Sequence, residues 1–189
     1  SRAPSQATRL CTEPAHHARW WGRAIGLALP LAQPSPFIAL PSSYSELYNR
    51  HIHARCTACN RVPTQPAVCL LCGALVCAGG GCCRRAGDDE CTWHAAECGR
   101  GLCAYIVLKF STTLLCVGRR HSWWGSLYLD MHGEEDRGLT RGRPLLLNSQ
   151  RMRALQSLWE SHGVREYIAQ HPPQFPHLIL LRMRGRLTQ

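Results

Sequence analysis

Helical spacing of apolar residues first appears past residue 40, where Tyr44, Leu47, Tyr48 and Ile52 recur at intervals of three and four and predict one buried helix face. Ser43, followed three residues later by Glu46, reads as a capping box for that helix. The pattern then stops. Between Cys56 and Cys98 no period holds, and Val68, Leu70, Leu71, Leu75 and Val76 are the only aliphatic concentration. A stretch so poor in core needs something besides apolar burial to fold it. After the glycines at 99 and 101, residues 102–110 and 112–117 are rich in Ile, Val, Leu and aromatics, and predict a β-hairpin turning at Ser111 that forms the sheet core. Residues 145–147 predict a further strand. Ser149 opens a second helix, with Met152, Leu155, Leu158 and Trp159 along one face and Gly163 as its end, placed to cover the sheet.

The flanks break regular structure. Pro4, Pro14, Pro30, Pro34 and Pro36 interrupt the start, Pro172, Pro173 and Pro176 interrupt the end, and Arg182, Arg184 and Arg186 make the last segment basic. The chain therefore divides into a Pro-rich leader expected to be disordered (1–36), a short capped helix (37–55), a Cys/His cluster (56–98), a sheet plus helix (99–169) and a basic irregular tail (170–189). The expected fold class is α+β: a small zinc-stapled Cys/His-rich module followed by an antiparallel β-hairpin or sheet covered by a C-terminal helix. No internal repeat appears.

A length of 189 residues allows one domain, or one domain and a tail, and excludes a large multidomain enzyme. With 45% hydrophobic and 18% charged residues there is material for a core, which excludes a wholly disordered chain. The longest apolar stretch, 24–32, is interrupted by Pro30 and falls short of the roughly 18 to 20 residues that span a bilayer, so no transmembrane helix is expected. Arg19 and Arg23 ahead of that stretch imitate a signal peptide. It begins too late for one, and a weakly structured leader is preferred. Residue 1 is Ser rather than Met, so the chain is expected to begin inside a longer product.

Twelve cysteines sharpen the picture, because such usage fits either a disulfide-stapled secreted domain or a metal-binding one. Spacing separates the two. Ten candidate ligands lie within 56–98: Cys56, Cys59, Cys69, Cys72, Cys77, Cys82, Cys83, Cys91, His94 and Cys98. Two Cys-x2-Cys pairs can each aim two sulfurs at one ion from a tight turn, and Gly73 follows the second pair as in a zinc knuckle. His94 and Cys98, four apart, face the same way if they share a helical turn. Zinc is preferred over disulfides, with two or more structural ions. The preferred set for one ion is Cys69, Cys72, His94 and Cys98; the second draws on Cys56, Cys59, Cys77, Cys82, Cys83 and Cys91. Cys103 and Cys116, in the predicted hairpin, read as small buried apolar residues.

These spacings, with the segments Trp124-Gly-Ser-Leu-Tyr-Leu-Asp130, Gly133-Glu-Glu-Asp136 and Arg141-Gly-Arg-Pro-Leu145 and the helix opening at Ser149, resemble the C-terminal zinc-binding domain of the UBR family of ubiquitin ligases, the N-recognins. The likeness runs over residues 37–162. It implies a cytoplasmic protein, with the nucleus as a second compartment, whose parent is a RING-type ubiquitin transferase that binds destabilising N-terminal residues through a UBR box. It implies as partners the UBR box and RING region of the parent and, through the parent, an E2 ubiquitin-conjugating enzyme and N-degron substrates. It implies an autoinhibitory role for this domain. Neither a UBR box nor a RING is visible here, so no catalytic residue is assigned.

Other constellations read more plainly. Asp130, His132, Glu134, Glu135 and Asp136 could hold a cation or move protons, but the surrounding glycines and Arg137, Arg141 and Arg143 favour a solvated, self-neutralised loop. A Cys/His nucleophile is disfavoured because a metal-bound thiolate is blunted. Trp123 and Trp124 are expected to cap the core rather than anchor a partner. A formal net charge of +10 invites nucleic acid, the alternative function, yet the arginines are spread along the chain and Lys109 is its only lysine. No membrane partner is expected.

Overall fold

A computed structural model describes residues 37–78, 82–85 and 87–172. Its fold is α+β. The chain enters helix α1 (Tyr44–His51), forms strands β1 (Pro66–Cys69) and β2 (Leu75–Cys77), helix α2 (Glu90–Gly99) and strands β3 (Leu102–Val107), β4 (Thr112–Val117) and β5 (Arg120–Gly125). Strands β6 (Tyr128–Leu129) and β7 (Leu146–Leu147) and helices α3 (Ser149–Glu160) and α4 (Val164–Gln170) complete it. Strands β1 to β5 make one antiparallel sheet in the order β2-β1-β3-β4-β5, and β6 with β7 makes a second.

The large sheet is covered on both faces, which explains why its central strands are continuously apolar instead of alternating. Side chains of neighbouring strand residues point to opposite faces. Ala104, Ile106 and Leu108 join Tyr44, Leu47, Leu155, Trp159, Val164 and Ile168, so α1, α3 and α4 cover one face. Cys103, Tyr105 and Val107 join Cys91 and Ala95 of α2 on the other. Trp123 and Trp124, successive in β5, divide between the two clusters in the same way and are both half-buried. Each fully buried aliphatic or aromatic side chain here contributes about 1.5–3 kcal/mol relative to exposure.

Several local expectations are revised. The Ser43 side chain makes no cap bond to α1, and Glu46 instead pairs with Arg50 one turn on, at 2.8 Å. Helix α3 does open at Ser149, and the residue before it, Asn148, caps it, its side-chain oxygen accepting from the Arg151 N–H at 2.9 Å. The Cys-rich segment supplies two strands that no apolar period announces, and β1 sits between β2 and β3 inside the sheet. Residues 145–147 do hold a strand, but it pairs with β6 outside the main sheet.

The acidic loop is also less solvated than expected. Asp130 and Asp136 are buried, at 6% and 4% exposure. Asp130 accepts from the N–H groups of His132 and Glu134, both at 2.9 Å, and pairs with Arg143 at 3.0 Å; Asp136 accepts from Thr140 and Arg141 N–H. These two carboxylates are consumed in shaping the loop, while Glu134 and Glu135 pair with Arg141 and Arg137.

Candidate metal centre

The same turn occurs twice. After Cys56-x2-Cys59 the N–H of Asn60 bonds back to the Cys56 carbonyl at 2.9 Å, and after Cys69-x2-Cys72 the N–H of Gly73 bonds back to the Cys69 carbonyl at 2.9 Å. Asn60 and Gly73 both take positive φ, 54° and 78°, which Gly and Asn tolerate best. Each turn curls two cysteines toward one point. On α2, capped by Asp89 accepting from the Thr92 N–H at 2.8 Å, His94 and Cys98 lie one turn apart on the same side. Gly99 lets the end of α2 approach the second turn, because a Cβ there would lie 3.0 Å from the Leu71 side chain.

Two tetrads result. The donor atoms of Cys56, Cys59, Cys77 and Cys83 lie within 4.8 Å of one another, and so do those of Cys69, Cys72, His94 and Cys98. A tetrahedral ion with metal–sulfur bonds of about 2.3 Å separates its sulfurs by about 3.8 Å, and a sulfur from an imidazole nitrogen by about 3.6 Å. The Cys56–Cys83, Cys59–Cys77 and Cys77–Cys83 sulfurs are 3.7, 3.9 and 3.9 Å apart, and Cys72 Sγ is 3.4 Å from His94 Nε2. The donors present therefore fit an ion in each tetrad.

Two of the ten candidates stand outside. Cys82 lies 3.4 Å from the Cys77 sulfur but joins neither tetrad. Cys91 is 3% exposed in the apolar layer between α2 and the sheet and belongs to neither set. Its position on α2 puts it on the sheet side of the helix, and its carbonyl accepts from the Tyr105 hydroxyl at 2.7 Å.

Around the tetrads stand residues that sequence reasoning did not select. Glu90, 1% exposed, accepts from the Cys77 backbone N–H at 2.7 Å and lies 3.1 Å from the Cys56 sulfur. Trp93 donates its indole N–H to the Cys83 carbonyl at 2.9 Å, and the Arg85 guanidinium stacks 3.9 Å above the same ring. Cys103, fully buried, places its sulfur 3.4 Å from that of Cys69. No spacing rule marks any of them, because their partners are set by how α2 docks on the sheet.

Electrostatically, the thiols resist charging without a cation. Contact with Cys103 and then burial push the Cys69 thiol up to about 11, and burial followed by the Cys72 contact pushes Cys98 up to about 12. Burial is the leading cause for raised Cys56, Cys72, Cys77 and Cys83. Cys59 goes the other way, to about 7, chiefly through the backbone N–H of Arg61. His94 is raised, mainly by its hydrogen bond with Cys69. A divalent ion would reverse this balance by taking the place of the protons.

Fold and site together define a small α+β module whose cysteine-rich half is gathered around two closed donor sets. The Proteolysis_6 C-terminal family model matches residues 5–161, and the chain belongs to that family, the C-terminal domain of the PRT6 and UBR ubiquitin ligases. The match begins well before residue 37, the point at which the motif likeness starts. Over 125 residues the chain is 41% identical to mouse E3 ubiquitin-protein ligase UBR3, covering 66% of this chain and 7% of that protein. It is 41% identical over 133 residues to Arabidopsis thaliana PRT6 (69% and 6%) and 37% identical over 138 residues to human UBR1 (70% and 8%). The chain thus spans less than a tenth of the length of these relatives. No helix among the described residues is long and apolar enough to cross a membrane.

Proposed function

We propose that this chain is a zinc-stapled, non-catalytic regulatory module of a UBR-type ubiquitin ligase. The supporting observation is that each donor set is complete and made of soft ligands, four thiols in one case and three thiols with an imidazole in the other. Zinc suits such sets, and four protein ligands leave no position for a reacting water, so the ions would act as staples. Both sets share rigid parts. The β1–β2 hairpin brings Cys69, Cys72 and Cys77, and α2 brings His94 and Cys98 together with Glu90. The product is a stiff platform suited to packing on the substrate-binding or RING portions of the parent and restraining them.

Deleting the region equivalent to residues 37–162 from a full-length relative, followed by ubiquitylation and N-degron binding assays, tests the restraint. Higher activity or tighter degron binding is expected; unchanged values would remove the autoinhibitory role. The nucleic-acid alternative is weakened by local neutralisation. Arg50, Arg119, Arg137, Arg141, Arg143 and Arg151 all pair with carboxylates of the module itself, which engages these six guanidinium groups within the fold rather than leaving them for phosphates.

A further inference from the structure

We infer that Cys103 is a positioning residue for the Cys69, Cys72, His94 and Cys98 set, holding the Cys69 sulfur toward the ion with its own S–H. The inference rests on the metal reading above. Cys103 is not one of the four donors, yet its sulfur is 3.4 Å from that of Cys69, within the reach of an S–H···S hydrogen bond, and both residues are fully buried. It stands two residues before Tyr105 on β3, the strand against which β1 pairs, with Cys69 opposite Tyr105. A Cβ on Gly99, which follows the donor Cys98, would lie 3.9 Å from the Cys103 Cβ. Cys103 thus touches the segments that deliver two of the four donors.

Once an ion takes Cys69 as a thiolate, the only hydrogen left between the two sulfurs is the one on Cys103. A donor aimed at a metal-bound thiolate spreads its charge and fixes its direction, the role that outer hydrogen bonds play around metal sites. Simple apolar packing would not require a sulfur here.

The test uses the full 189-residue chain loaded with Co2+, whose thiolate charge-transfer and d–d bands report the ligand field, with affinities from chelator competition. Cys103→Ala is expected to weaken binding at the three-thiol, one-imidazole set by about 10- to 100-fold and to shift its charge-transfer band, leaving the four-thiol set unchanged. Cys103→Ser, which keeps a donor, should recover part of the loss. Wild-type affinity and band position in Cys103→Ala would overturn the inference. If that variant does not fold, the Cys103→Thr and Cys103→Val pair decides, being matched in shape and differing in the donor: tighter binding by Thr supports the inference and equal binding overturns it. Absence of any Co2+ bands from the wild-type chain would instead overturn the metal reading itself.

Discussion

Glu90 opens helix α2 and accepts a hydrogen bond from the backbone N–H of Cys77, 2.7 Å away on β2. The bond ties the helix that carries His94 and Cys98 to the strand that carries Cys77. Because Glu90 is 1% exposed, its removal leaves that N–H buried and unpaired. Such a loss costs about 1–3 kcal/mol. Glu90→Ala should lower the stability of the metal-loaded chain by that amount in urea, and Glu90→Gln, which keeps an acceptor oxygen, should lose less. Equal stability of Glu90→Ala and wild type would show that the bond does not hold the helix.

Folding of residues 56–98 should depend on the ions. Structural zinc supplies on the order of 10 kcal/mol of binding free energy coupled to folding. Cys72→Ser or His94→Ala is therefore expected to unfold the cluster, and a chelator should do the same to the wild type. Metal content and the thermal melt should fall together. A cooperative melt of unchanged midpoint after chelation would contradict the coupling.

Protons should leave as zinc enters. The Cys69 and Cys98 thiols, pushed up to about 11 and about 12, are protonated at neutral pH, so the ion entering their set displaces hydrogen ions into the buffer. Raising the pH removes that competition and tightens binding; lowering it releases the ions. Calorimetry in two buffers of different ionisation enthalpy measures the release directly. A heat independent of the buffer would exclude it.

Asp130 gives the loop 130–143 an acid-sensitive hold. Its carboxyl is drawn down to about 2 from 3.8, chiefly by the Glu134 backbone N–H and then by Arg143. A lowered folded-state value means that its contribution is complete above the unfolded value near 4 and is lost as pH falls toward 2. Wild type should be more stable than Asp130→Asn at pH 6, and the gap should close across that window. A gap that stays constant with pH would exclude the carboxylate as its source.

How much of this was legible depends on which force decided each element. β3 and β4 could be read from the sequence because long apolar runs make a strand whatever it pairs with. β1 and β2, with four and three residues, could not, since their pairing follows from turns at Cys69 to Gly73 and from packing under α2. The strand β5 was hidden by its polar start at Arg120 and by a register shift between Thr113 and Leu114 on its partner. In the candidate centre, spacing singled out the Cys-x2-Cys pairs and the His94–Cys98 turn, because those signals are local. The choice of Cys83 over Cys91 depends on tertiary placement: Cys83 has a positive φ of 61° that turns it toward Cys77, while Cys91 faces the sheet. The same holds for Glu90 and Cys103, whose partners lie 13 and 34 residues away.

The strand order places the two ligand-bearing strands at one margin of the large sheet, and β3, β4 and β5, six residues each, away from it. Once the ions are stripped by a chelator, disassembly would start there as an unzipping, with β2 and β1 detaching while the three-stranded meander stays intact. Deuterium should accordingly replace the amide hydrogens of Val68 and Val76 well before those of Ala104 and Leu115.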